Sequence, residues 1–162
     1  MGFAPRTGAA SLPCAISWSS RFSSARRPIV RSRRGIGRFG EREAAARLVE
    51  MGYRIREQGY RAVLGSVCIG EIDLIADEGE YLVFAEVKAR SDLSRGLPRE
   101  AVGRAKQRKM TRAAALYATA LGEERPWRFD VIEVILLPGG STEVHVLRDA
   151  FQADERDLRG LE

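Results

Sequence analysis

The sequence predicts an α/β fold, a mixed β-sheet flanked by helices, with the elements in the order α-β-β-β-α-β-β. Three observations lead to this prediction. A helix-forming segment precedes residue 53, apolar strand-like runs follow between residues 56 and 90, and a second long helical segment leads into two further strands. A chain of 162 residues is long enough for one domain built around a single core.

The first helix is predicted over residues 40–51. The segment is rich in helix formers, and it is followed by Gly52, a residue type that commonly ends a helix. Glu41, Ala45 and Leu48 are spaced at i, i+4 and i+7, which places Glu41 on the inward face of this helix. An alternative role for Glu41 is to complement the positive charge of the helix N-terminus.

The next strands carry charged residues at positions where packing alone would favour apolar ones. Asp73 lies within the apolar run 70–76, while Glu86 and Lys88 follow the apolar run 82–85. A charge in a buried strand is costly unless it is paired, hydrogen-bonded or bound to a metal. The two strands therefore point to a functional site rather than to packing alone.

The turn between these strands decides which side chains meet. The segment 77–80 has the composition of a turn, and side chains alternate between the faces of a strand. A four-residue loop pairs Asp73 with Phe84, whereas a two-residue loop pairs Asp73 directly with Glu86. Both registers place Asp73, Glu86 and Lys88 on one face, and a three-residue loop would separate them.

Two carboxylates and a lysine in this arrangement are typical of a divalent-metal site for phosphodiester hydrolysis. Mg²⁺ is commonly held by one or two carboxylates together with substrate phosphate oxygens, so Asp73 and Glu86 are the predicted ligands, and Mn²⁺ can substitute. Lys88 is expected to position the attacking water or to neutralise phosphate charge. The alternative is a surface hairpin with a cross-strand Glu–Lys pair.

A second helix is predicted over residues 99–121, after a loop at 91–98, and Gly122 is expected to end it. Its predicted apolar stripe comprises Val102, Ala105, Ala113, Leu116 and Ala120. Basic residues on this helix and at the end of the preceding strand form a predicted nucleic-acid-binding surface, consisting of Arg90, Arg104, Lys106, Arg108, Lys109 and Arg112. The alternative is a solvated helix face.

The last two strands are predicted over 127–136 and 143–147, with a turn at 138–140. Arg128 and Asp130 share one face of the first of them and are predicted to form a structural ion pair. His145 is the single histidine of the chain, and a structural role is predicted for it.

Asp73 with Glu86-Val87-Lys88 resembles the PD-(D/E)xK nuclease signature of restriction-endonuclease-like folds. From about Gly37 to Phe151, the sequence is similar to the YraN-like family of small bacterial proteins, described as uncharacterised or as predicted endonucleases. The shared motifs lie at Gly40-Glu41, Gly70–Ile75, Glu86–Arg90, Ala101-Val102, Lys106, Arg108-Lys109, Arg128–Val131, Glu143–His145 and Ala150-Phe151.

The resemblance implies a restriction-endonuclease-like fold and Mg²⁺-dependent cleavage of DNA, with branched or otherwise structured DNA among the expected substrates. Holliday-junction resolvases of the same superfamily place a first-helix glutamate near the metal, which implies that Glu41 joins the catalytic set. The alternative function is a nucleic-acid-binding protein that uses a nuclease fold without cleaving. The presence of Asp73, Glu86 and Lys88 together favours the nuclease.

Charge divides the chain into unequal parts. Residues 1–40 hold eight arginines and no acidic residue, while the other 122 residues hold 19 Lys and Arg against 22 Asp and Glu. Residues 1–36 are interpreted as a disordered Arg/Ser-rich leader or a misplaced start, 37–151 as the nuclease-like domain and 152–162 as a C-terminal tail.

The remaining features of the composition bear on compartment and partners. Two isolated cysteines and the lack of a long apolar run predict a cytoplasmic protein with no membrane partner. A homodimer is compatible with the sequence, and DNA is the expected partner.

Overall fold

The computed structural model describes residues 33–91, 102–159 and 161, and the described elements follow the predicted order. They are α1 (Arg33–Glu50), β1 (Arg54–Leu64), β2 (Val67–Glu78), β3 (Tyr81–Arg90), α2 (Arg104–Leu121), β4 (Trp127–Leu136), β5 (Thr142–Phe151) and a short 3₁₀ helix at Glu155–Leu158. Residues 1–32 of the predicted leader lie outside the described residues. The helix α1 begins at Arg33, four residues before the predicted start of the domain at residue 37. Of the predicted loop at 91–98, only residue 91 belongs to the described residues.

The five strands form one mixed sheet in the order β1-β2-β3-β4-β5. β3 and β4 run parallel, and every other neighbouring pair is antiparallel. A parallel pair needs a long crossover connection, which α2 provides. The predicted mixed sheet with flanking helices is therefore confirmed. Among the described residues, no helix is both long enough and apolar enough to cross a membrane.

The β2–β3 hairpin has a two-residue loop. This is one of the two loop lengths that the sequence left open. Glu78 pairs with Tyr81, so the loop consists of residues 79 and 80, and Gly79 has a φ of 56°. The hydrogen-bonded ladder runs from this turn to Leu74 opposite Ala85. One residue further along the same register, Asp73 lies opposite Glu86.

The two helices cover opposite faces of the sheet and create two cores. On the α1 side, Leu48 packs with Leu74 and Val83, all fully buried. On the α2 side, Met110 packs with Phe84 and other apolar side chains of the sheet. Both cores reach β2 and β3, so these central strands are held from both faces.

The alternation of β2 changes phase near Asp73, which corrects one expectation. Strict alternation placed Ile72 and Leu74 on the same face, whereas Ile72 packs in the α2-side core and Leu74 in the α1-side core. Ile75 is again on the α2 side, opposite Phe84. The change coincides with the end of the β2–β3 ladder, where β2 is no longer constrained by pairing with β3.

The helix α2 begins later than predicted. Gly103 precedes it in an extended conformation, Val102 is buried ahead of the first turn, and Gly122 ends it with a φ of 64°. The predicted apolar stripe is wrong at Ala105 and Ala120, which are exposed. The buried face comprises Met110, Thr111, Ala113, Ala114 and Ala118. The middle turns of α2 are therefore the part that packs on the sheet.

A glycine sets the distance between α2 and the sheet. A Cβ atom at Gly70 in β2 would clash with the main-chain carbonyl of Lys109 and crowd Ala113. The missing side chain allows the helix backbone to lie directly on the strand. This contact brings the first turns of α2 close to the polar end of β2 and β3.

The predicted ion pair in β4 is confirmed. Asp130 is fully buried, and both of its carboxylate oxygens accept hydrogen bonds from Arg128, at 2.8 and 2.9 Å. The main-chain N–H of Asp149 donates a third hydrogen bond at 3.0 Å. His145 lies on β5 opposite Glu133, and its Nε2 is 3.7 Å from a carboxylate oxygen of Glu143.

Candidate functional site at the strand fork

The charged residues meet where β2 leaves β3, a place that we call the strand fork and define by Asp73, Glu86 and Val87. The β2–β3 ladder ends at Leu74 opposite Ala85, whereas β3 continues beside β4 as far as Arg90. Beyond that ladder, the N–H of Val87 donates to Asp73 Oδ2 at 2.8 Å. The Asp73 carboxylate is thus fixed by the backbone of the neighbouring strand.

Glu86 is the most buried charged group of the fork, with 5% of its side chain exposed. Its Oε1 accepts a hydrogen bond from Lys88 Nζ at 2.7 Å. Its Oε2 forms an ion pair with Lys106 Nζ at 2.7 Å. Each oxygen of Glu86 therefore faces one lysine ammonium group.

The environment of Asp73 disfavours its negative charge. Burial is the largest cause and, together with repulsion from Glu86 and Glu41, raises the pKa of Asp73 to about 6, against the opposing effects of the Val87 N–H and of Lys106. A proton or a cation at this position would relieve the repulsion. Without a cation, the negative charge of Asp73 is therefore held at a cost in free energy.

The helix α1 brings Glu41 toward the fork. A Cβ atom at Gly40 would clash with the side chain of Ala89, so the start of α1 lies directly on β3. Glu41 is half-buried, and its charge is one of the causes of the raised pKa of Asp73. This places Glu41 within electrostatic range of the fork, as expected for an inward-facing residue.

The donor set fits a cation that keeps part of its water. Across residues 33–91, 102–159 and 161, no three Asp, Glu, His or Cys side chains converge into a ready-made metal cage. Mg²⁺ does not need one, because it is usually held by one or two carboxylates and completes its shell with water and phosphate oxygens. The carboxylates of Asp73 and Glu86 meet that requirement.

The predicted nucleic-acid-binding residues are divided among different environments. Arg90 forms an ion pair with Glu133 on β4, and Arg104 pairs with Asp154 and Asp157 of the C-terminal segment, at 2.7 and 3.0 Å. Lys106 points into the fork instead of toward solvent. The remaining three lie along α2, with Arg108 and Lys109 exposed and Arg112 half-buried.

Sequence reasoning did not find the part that Lys106 plays in the fork. Lys106 is 20 residues from Glu86 along the chain, and no local pattern joins the two. The available signal was Gly70, because a glycine inside an apolar strand often marks the close approach of another backbone. That approach is what carries Lys106 to Glu86 and to the main-chain oxygen of Glu71, 3.3 Å from its Nζ.

Asp73→Asn is expected to stabilise the metal-free protein at pH 7 by about 1–3 kcal/mol. Because the folded-state pKa of Asp73 is about 6, above its ordinary value of 3.8, the folded protein binds more protons there than the unfolded chain between these pH values. Wild-type stability should therefore fall as the pH rises from about 4 to about 6, and the asparagine variant should lack this fall.

Urea unfolding in EDTA at several pH values measures this difference. Glu71→Gln is the matched control, since the side chain of Glu71 is 56% exposed. If Asp73→Asn and the wild type had parallel stability curves over this pH range, the raised pKa of Asp73 would be wrong.

Comparison with known proteins places the fork inside a shared sequence region. A family model described as "Uncharacterised protein family UPF0102" matches residues 40–134, which include Glu41, Asp73, Glu86 and Lys88. A UPF0102 protein of Symbiobacterium thermophilum is 46% identical over 123 residues, covering 74% of this chain and 98% of that protein.

Two further relatives show the same extent of similarity. A UPF0102 protein of Syntrophus aciditrophicus is 43% identical over 117 residues, covering 72% of this chain and 87% of the relative. One of Chlorobaculum tepidum is 46% identical over 130 residues, covering 78% and 84%. The family model therefore covers most of the described chain, from within α1 to within β4, and includes all of α2.

Proposed function

The chain belongs to the uncharacterised protein family UPF0102, and from the chemistry of the strand fork we propose that it is a Mg²⁺-dependent nuclease that hydrolyses phosphodiester bonds in DNA. The family assignment agrees with the resemblance found in the sequence. The relationship to PD-(D/E)xK nucleases and the nuclease activity are part of the proposal. Branched or otherwise structured DNA is the expected substrate class.

The observation that carries the proposal is the pair of carboxylates at the fork. Asp73 is fixed by the Val87 N–H, and Glu86 is buried with Lys88 and Lys106 as its counter-charges. These two residues would hold the cation. When bound, Mg²⁺ supplies a water of lowered pKa and stabilises the additional negative charge of the reacting phosphate.

Lys88 would act on the reacting phosphate. Its Nζ donates to Glu86 Oε1, and 37% of its side chain is exposed. The ammonium can therefore keep its contact with Glu86 while a phosphate oxygen or the attacking water approaches from solvent. Glu41 would contribute negative charge from α1.

One observation favours a second candidate, a DNA-binding protein that does not cleave. Both oxygens of Glu86 already lie beside lysine ammonium groups, so the carboxylate is neutralised without a metal. A site that is balanced in this way can persist in a protein that uses the fold for binding alone.

Cleavage assays distinguish the two candidates. Purified full-length protein is incubated with linear, nicked, flapped and four-way DNA, in Mg²⁺, Mn²⁺ or EDTA. The nuclease proposal expects metal-dependent cleavage of at least one substrate, and a preparation of Glu86→Gln made in the same way should show none. Binding without cleavage of any substrate in either metal would favour the second candidate.

The exposed basic residues of α2 are expected to bind the DNA backbone. Arg108→Ala combined with Lys109→Ala should weaken binding to all sequences alike and reduce the slope of log K against log salt by about 2, because each lost phosphate contact contributes about 0.9. Fluorescence anisotropy between 50 and 200 mM salt measures the slope.

Arg104→Ala is the matched control on the same helix. Arg104 is already paired with Asp154 and Asp157, so its loss should change the salt slope by less than the loss of either exposed residue. An unchanged slope in the Arg108 and Lys109 double variant would show that this helix face is a solvated surface without a role in DNA binding.

A further inference from the structure

We propose that Lys106 is an internal counter-ion that occupies the place of the divalent cation, so that cation binding has to displace its ammonium group from Glu86. The inference rests on the proposed function, because it takes Glu86 as a ligand of the cation. It assigns Lys106 a positioning role at the metal site in place of the DNA-backbone contact that its sequence position indicated.

The ammonium group of Lys106 makes contacts of the kind that a bound metal ion would make. Its Nζ lies 2.7 Å from Glu86 Oε2 and 3.3 Å from the main-chain oxygen of Glu71, and its charge also interacts with Asp73. Glu86 Oε2 belongs to a side chain that is almost fully buried, and Lys106 is its ion-pair partner. Lys106 therefore already occupies the oxygen that a metal cation would bind.

The two lysines of the fork differ in this respect. Lys88 belongs to the same strand as Glu86 and hydrogen-bonds the other oxygen, Oε1, so it can remain when a cation binds Oε2. Lys106 faces Oε2 itself. Mg²⁺ binds oxygen at about 2.0–2.1 Å, and a second positive charge 2.7 Å from the same atom would be strongly repelled.

Relief of that repulsion has to come from the Lys106 side chain. The α2 backbone lies directly against β2 at Gly70, and Met110, Ala113 and Ala114 of the helix are fully buried in the core, which opposes a shift of the helix. The side chain of Lys106 is 31% exposed and has a route to solvent. Cation binding and release of the Lys106 ammonium are therefore a single exchange event.

Lys106→Met tests the exchange, because methionine keeps the unbranched side chain as far as the ε position and removes the charged ammonium group. Isothermal titration calorimetry with Mn²⁺ on the full-length protein should show binding at least about tenfold tighter than in the wild type, a difference of about 1.4 kcal/mol. Lys109→Met is the matched control, one helical turn away and exposed, and its Mn²⁺ affinity should stay within about twofold of the wild type.

Thermal unfolding in EDTA and in Mn²⁺ supplies a second measurement. It distinguishes the proposed role of Lys106 from a purely structural one. In EDTA, Lys106→Met should unfold at a lower temperature than the wild type, because Glu86 loses a counter-charge. In saturating Mn²⁺ this deficit should disappear. A lysine that only stabilised the fold would leave an equal deficit in both conditions.

The outcomes separate this inference from the proposed function. If the wild type and Lys106→Met bind Mn²⁺ equally, or if the variant binds more weakly, the counter-ion role is overturned while the metal site stands. If neither protein binds Mn²⁺, the metal site itself fails and the inference fails with it. Adding Glu86→Gln to Lys106→Met should remove the gain in affinity, and a gain that persisted would place the cation elsewhere.

Discussion

Glu86→Gln is expected to remove measurable Mn²⁺ binding and to lower metal-dependent DNA cleavage by at least about a thousandfold. Glutamine keeps the shape of the side chain, but it removes the charge and replaces one carboxylate oxygen by an amide nitrogen that cannot bind a cation. The side chain is 5% exposed, so water cannot readily take the place of the lost ligand. Calorimetry with Mn²⁺ and single-turnover cleavage measure the two effects.

A companion variant separates chemistry from binding. Lys88→Ala should suppress cleavage strongly while changing DNA affinity and Mn²⁺ affinity little, because Lys88 acts beside the reacting phosphate. Circular dichroism establishes that both variants are folded. Cleavage by Glu86→Gln at a rate close to that of the wild type would show that the fork is not the active site.

Asp130→Ala is expected to destabilise the folded protein by about 3–5 kcal/mol, the usual effect of breaking a buried ion pair by removing one partner. Asp130 is fully buried and accepts two hydrogen bonds from Arg128 and one from the N–H of Asp149. Alanine would leave these donors without their acceptor. Arg128 would keep its ion pair with Glu78 at 2.6 Å, which places the expected loss at the lower end of this range.

Urea denaturation measures this loss, with Glu80→Ala as the control because Glu80 is an exposed carboxylate. The cleavage rate per folded molecule should be unchanged in Asp130→Ala, since the residue acts through packing in β4. A loss of cleavage with unchanged stability would instead give Asp130 a direct role at the active site.

Local patterns in the sequence were sufficient to predict the element order, the position of the β2–β3 turn with two possible loop lengths, and the Arg128–Asp130 pair. Each of these depends on residues close together in the chain, where alternation or turn chemistry restricts the geometry. The pairing of Asp73 with Glu86 follows from the same restriction once the two-residue loop is chosen.

The features that could not be predicted depend on contacts between distant segments. Strict alternation failed near Asp73, where the end of pairing with β3 allows β2 to change phase, so Ile72 and Leu74 enter different cores. The buried face of α2 is set by its contact with Gly70 rather than by its own apolar spacing. The position of Lys106 follows from that contact, which no local pattern in the sequence reveals. For this reason Lys106 was predicted to belong to the basic surface.

The parallel pairing of β3 with β4 has a consequence for the order of folding. The hairpin that brings Asp73 to Glu86 closes over a few residues, a process that takes microseconds in short peptides. The β3–β4 pair has to wait for the long crossover that contains α2, because closing a longer loop costs more chain entropy. We therefore expect the two acidic groups to meet early in folding, while Lys106 reaches them only when the crossover docks, close to the rate-limiting step.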